Sequence, residues 1–135
     1  MQPDLDRSSD VPLFRDLSQE QLERLATMFT VEEVGDVGRH LTGEGASGYM
    51  FYVIAEGTAD VFHHDALVGR LGPGDFFGEM AILGDGRRNA DVVMTSPMTL
   101  FAMFGTAFRE MESTLADVAE QIRTAVEARL TASEP

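Results

Sequence analysis

The chain contains no cysteine and no lysine. Without cysteine there is no disulfide, no thiolate zinc site and no cysteine-held iron–sulfur cluster. Without lysine there is no Walker-type phosphate loop, because that motif ends in Gly-Lys; all ten basic side chains are arginine. Histidine is scarce, with three in 135 residues, and tryptophan is absent. Serine is present but never in the Gly-x-Ser-x-Gly setting of a hydrolase nucleophile. No apolar run is long enough to span a membrane as a helix. The first ten residues, MQPDLDRSSD, are acidic where a secretion signal is basic and then apolar, so a cytoplasmic location is expected. Positive charge is also short: 23 acidic residues against 10 basic give a net charge of −13. Such a chain is a poor direct partner for nucleic acid or an anionic membrane. What remains is ordinary. The hydrophobic fraction is 44% and the charged fraction 24%, in a length that suits one domain with its own core.

Three zones follow one another. Residues 1–12 read as a polar N-terminal segment and residues 13–135 as the domain. Within LSQEQLERLATMF, Ser18 and Gln21 have capping-box spacing, and Leu22, Leu25, Met28 and Phe29 share one helical face. From Val31 to about Phe104 the pattern changes to short runs such as MFYVIAEG, ADVFHH and TLFAMF, broken by Gly, Asp and Pro. Turn signals every roughly 8–12 residues indicate an all-β sandwich or barrel. From Ala107 to about Ala132 the spacing is helical again, with Phe108, Met111, Leu115, Val118, Ile122, Val126 and Leu130 stepping by three or four. Thr114 and Asp117 repeat the capping-box spacing, which predicts two helices meeting near Ser113.

Between the β-rich runs lies GDFFGEMAILGDGRRNAD, residues 74–91. Its glycines allow tight turns and a close approach of backbone to a ligand. A helical turn beginning at Gly78 would aim free N–H groups at an anion. The planar donor fork of Arg88 suits a phosphate. Glu79 would repel a phosphate but can accept hydrogen bonds from a neighbouring sugar hydroxyl. A small phosphorylated sugar with a free hydroxyl therefore suits this set better than a bare anion.

The same stretch resembles the phosphate-binding cassette of the cyclic nucleotide-binding domain family. Phe77-Gly-Glu-Met-Ala-Ile-Leu83 is followed after three residues by Arg87-Arg-Asn-Ala-Asp-Val92. The likeness extends over about residues 11 to 130, through LFRDLSQEQLERLATMF and VGRHLTGEGASGYMFYVIAEGTADVF. It implies a mainly β fold: an antiparallel, jelly-roll-like β-roll with an N-terminal helix and a long amphipathic C-terminal helix. It also implies a regulatory sensor rather than an enzyme. The ligand would be a 3′,5′-cyclic nucleotide, cAMP favoured and cGMP the other candidate, with no metal. Carried over by position, Glu79 takes the ribose 2′-hydroxyl and Arg88 the cyclic phosphate. Gly78 and Ala90 offer backbone and Asn89 its side chain at the phosphate end, and Phe77, Met80 and Ala81 complete the ligand-binding set.

Three positions depart from the family pattern. Arg87 stands where Pro is usual, which leaves Arg88 in register. Asp91 replaces Thr or Ser, pointing away from the pocket if it neighbours an inward-facing Ala90 and weakening phosphate binding if it faces inward. Asn89 can donate to phosphate or base and does not settle the choice of base. The pair His63-His64 is read as surface, since strand neighbours face opposite sides and only His40 remains as a third ligand; the same scarcity counts against a metal-dependent cupin enzyme. The C-terminal helix is longer than a small barrel needs for cover. In relatives it serves as a homodimer seam and a lid, and the family's usual output domains are not evident after it. A ligand-free β-roll acting as a dimerisation scaffold is the alternative reading.

Overall fold

The computed structural model describes residue 14 and residues 17–42, 50–78 and 91–133. The polar segment expected at residues 1–12 lies outside them. The first helix, α1, spans Gln19–Ala26 and starts as its sequence dictates. The Ser18 hydroxyl accepts from the Gln21 amide at 3.1 Å, and the Gln21 side chain accepts from the Ser18 amide at 2.8 Å. Two N–H groups with no partner inside the helix are thereby satisfied, while Leu22, Leu25 and Ala26 turn into the core. Ser18→Ala is expected to cost about 1 kcal/mol. Calorimetry would register that as a fall of roughly 3–5 °C in melting temperature, and an unchanged melting temperature would show that the cap does not hold the helix start.

The chain then forms β1 (Thr30–Val34), β2 (His40–Thr42), β3 (Met50–Glu56), β4 (Ala59–His63), β5 (Ala66–Leu71), β6 (Phe76–Phe77), β7 (Asp91–Met94) and β8 (Met98–Phe104). Among the described residues these pair as two four-stranded sheets, ordered β1-β8-β3-β6 and β2-β7-β4-β5, with antiparallel neighbours throughout. Two helices close the fold, α2 at Gly105–Thr114 and α3 at Ala116–Ser133. This is the expected antiparallel β-roll flanked by helices.

The side-chain period of two sorts the first sheet into two faces. Phe51 and Val53 of β3, Phe76 of β6, and Phe101 and Met103 of β8 join a core shared with the helices. Their alternates Ile54, Phe77, Met98 and Leu100 point the other way, to a second core with Ala59, Leu71, Val92 and Met94 of the facing sheet. The layers are therefore helices, sheet, sheet. Phe108, Met111, Leu115, Val118, Ile122 and Val126 are all buried in the helix-side core, as the spacing requires; the side chain of Leu130 lies outside the described residues.

Thr114 does not cap the final helix. It is the last residue of α2, and its hydroxyl donates back to the Glu110 carbonyl at 3.2 Å. The junction falls two residues beyond Ser113, at Leu115, whose φ of −137° and ψ of 56° leave the helical region. Leu115 is itself buried, so apolar packing at this step sets where the helix breaks.

Candidate functional site

The approach to the cassette is built by a turn with a clear local cause. In Gly72-Pro-Gly-Asp75, proline presets the second position and Gly74, at φ 92°, takes the left-handed conformation the third requires. The Asp75 amide donates to the Gly72 carbonyl at 3.0 Å and the Gly72 amide to the Asp75 carboxylate at 2.8 Å. The turn is fastened to β3 by Gly74 N–H to Ile54 C=O and Ile54 N–H to Asp75 C=O, both at 2.9 Å. It delivers β6 beside β3, with Phe76 opposite Val53 and Phe77 opposite Tyr52.

Of the expected site residues, Phe77 and Gly78 are described and buried. The Phe77 ring stacks on Tyr52, centroids 4.9 Å apart and planes 23° from parallel. Gly78 adopts φ 84° and sits against β3, so that a Cβ there would collide with the Met50 carbonyl oxygen. Only glycine meets both conditions without strain. Glu79, Met80, Ala81, Arg88, Asn89 and Ala90 lie outside the described residues, as does Arg87. On the described side, Phe77 packs in the core between the sheets with Ile54, Leu71, Val92 and Met94, and Leu41 packs against that cluster.

Asp91 opens β7 on the far side of the cassette. Val92 and Met94 are buried between the sheets, so Asp91 belongs to the outer face by alternation. Its carboxylate meets His40 Nδ1 there at 3.1 Å, and it does not turn into the roll. Tyr52 and Met50 were not among the expected site residues. The run MFYVIAEG signals a strand, but which strand β3 would meet at Phe77 depends on chain-distant pairing.

His63 and His64 differ from expectation in geometry. His64 and Asp65 form the β4–β5 turn with φ values of 49° and 64°, so the rule of opposite faces does not apply. The two rings lie 4.1 Å apart on the exposed hairpin. Among the described residues no group of three or more His, Asp or Glu could hold a metal ion, and no helix is long and apolar enough to cross a membrane.

Comparison with known proteins agrees with this geometry. The family model described as "Cyclic nucleotide-binding domain" matches residues 36–114. The cAMP-dependent protein kinase regulatory subunit of Schizosaccharomyces pombe is 27% identical over 115 residues, covering 73% of this chain and 28% of the relative. The cyclic AMP receptor protein of Thermus thermophilus is 28% identical over 124 residues, covering 88% of this chain and 57% of the relative. The chain thus spans less than two thirds of either relative. A putative cyclic nucleotide-binding protein from Geobacter metallireducens has the same fold, with a TM-score of 0.83 at 20% identity, covering 97% of this chain and 98% of that one. Because the family model takes in more than half of the sequence and spans the cassette, the chain belongs to the cyclic nucleotide-binding domain family.

Proposed function

We propose that the β-roll binds a 3′,5′-cyclic nucleotide, cAMP in preference to cGMP, and that occupancy is passed on through the C-terminal helix. The observation that carries this reading is Gly78. It is held in a glycine-only conformation on the Met50 carbonyl, immediately before Glu79 and at the glycine of the family motif. Glu79 accepts from the ribose 2′-hydroxyl, Arg88 pairs with the cyclic phosphate, and Asn89 with the backbone of Ala90 completes the phosphate end. Phe77, Met80 and Ala81 flank the ligand. The preference for cAMP draws on the names of the two relatives, a cAMP-dependent kinase subunit and a cyclic AMP receptor. The role is binding, with no metal and no catalysis. A second copy of the chain, or an output domain beyond it, would receive the signal from the helix.

The test is a double cycle. Glu79→Gln keeps an acceptor but loses charge, which should weaken cAMP binding by about 1–2 kcal/mol. A 2′-deoxy cyclic nucleotide should bind the unaltered chain poorly, and the two losses should not add, because both remove one contact. Full additivity would separate Glu79 from the 2′-hydroxyl. If neither cAMP nor cGMP bound at all, the ligand-free scaffold would be the better reading.

A further inference from the structure

Glu112 and Arg123 are eleven residues apart. Along one straight helix that spacing would place them about 16 Å apart. Instead Arg123 Nη2 meets Glu112 Oε2 at 2.6 Å, because the chain folds back at Leu115 and lays α3 beside α2. The same guanidinium lies over the Phe108 ring, 5.5 Å from its centroid. Both partners sit on α2 and the arginine on α3, so each contact exists only while the joint keeps its angle. On the other side of the joint Arg24 of α1 donates to the Thr114 carbonyl at 3.2 Å. A crevice of about 510 Å3, lined by Ser18, Gln21, Arg24, Thr114 and Asp117 among others, lies beside the break.

We propose that Arg123 is a latch across Leu115 that sets how readily the last helix leaves the β-roll. Val118, Ile122 and Val126 already bury the helix against the core, so the latch adjusts an equilibrium that apolar packing creates. The ion pair is partly exposed, whereas the Phe108 ring under the guanidinium is buried, and each contact is individually weak. Together they favour the closed joint by about 3- to 30-fold. That range can hold a helix at rest and still be overcome by a ligand with modest preference for one state. The part this plays in signalling rests on the function proposed above; the latch itself does not.

Amide hydrogen exchange of the full chain without nucleotide tests it. Arg123→Met keeps the aliphatic stem and removes the charge. Amides at 118–126 should then exchange about 3- to 30-fold faster, while those of β3 and β8 keep their protection. The exchanged pair Glu112→Arg with Arg123→Glu should recover part of the loss. Unchanged exchange in α3, an equal loss in every element, or no recovery in the exchanged pair would each overturn the latch. Since no nucleotide is present, failure of the ligand reading in a separate titration would leave this result standing.

Discussion

Arg88→Ala should weaken cyclic nucleotide binding by about two to four decades while leaving the fold intact. The chain carries a net charge of −13 and repels an anionic ligand at long range, so attraction must arise at contact. A cyclic phosphate bound as proposed would lose water and need a charged donor in return. Removing one partner of such a buried pair costs roughly 3–5 kcal/mol, and each 1.4 kcal/mol is about tenfold in affinity. Arg87→Ala is the internal control, because the family pattern has an uncharged proline at that position and assigns the phosphate to Arg88. It should change affinity by less than about tenfold, within the range of an exposed pair. Direct titration of both variants decides the matter. If Arg87→Ala proved the more damaging, the register of the cassette would be wrong by one residue.

The second large effect is expected at Gly78. A left-handed conformation costs a residue with a Cβ about 1–2 kcal/mol. At φ 84° an alanine would also collide with the Met50 carbonyl oxygen. That oxygen cannot easily retreat, because Met50 is paired with Phe104 in the central β3–β8 ladder. Gly78→Ala should therefore lose roughly 2–4 kcal/mol of unfolding free energy and weaken nucleotide binding as the cassette is displaced. Gly35→Ala is the matched control: its Cβ would meet nothing within 4 Å, so its effect should stay within about 0.5 kcal/mol. Urea unfolding of both variants measures the difference. Equal midpoints would mean that the end of β6 does not rest on β3.

How much of this was legible in the sequence follows from the range of each interaction. Local signals read well. The Ser18–Gln21 capping box is a four-residue feature, and both of its hydrogen bonds are present. The run MFYVIAEG forms β3 over Met50–Glu56, as its residue types imply. The helical stripe from Phe108 to Val126 is buried as its spacing demands. Errors arose where a short pattern met tertiary packing. Thr114 and Asp117 have the spacing of a cap, yet the buried Leu115 decides where the joint falls. His63 and His64 read as strand neighbours, but the turn begins at His64 and brings their rings together. Sheet order was not legible, because β8 inserts between β1 and β3 through pairings 43 to 72 residues apart in sequence. Tyr52 became part of the site's surroundings for the same reason. At the site, the roles read for Glu79 and Arg88 fall outside the described residues, and the structure adds a reason for the glycine before Glu79.

The most direct measurement of the central claim is a calorimetric titration of the full chain with cAMP and, separately, with cGMP. Saturable binding of one cyclic nucleotide per chain is expected, tighter for cAMP, with no displacement by equal concentrations of 5′-AMP. The absence of heat with both cyclic nucleotides at millimolar concentration, from protein that still melts cooperatively, would contradict it and leave the β-roll as a scaffold.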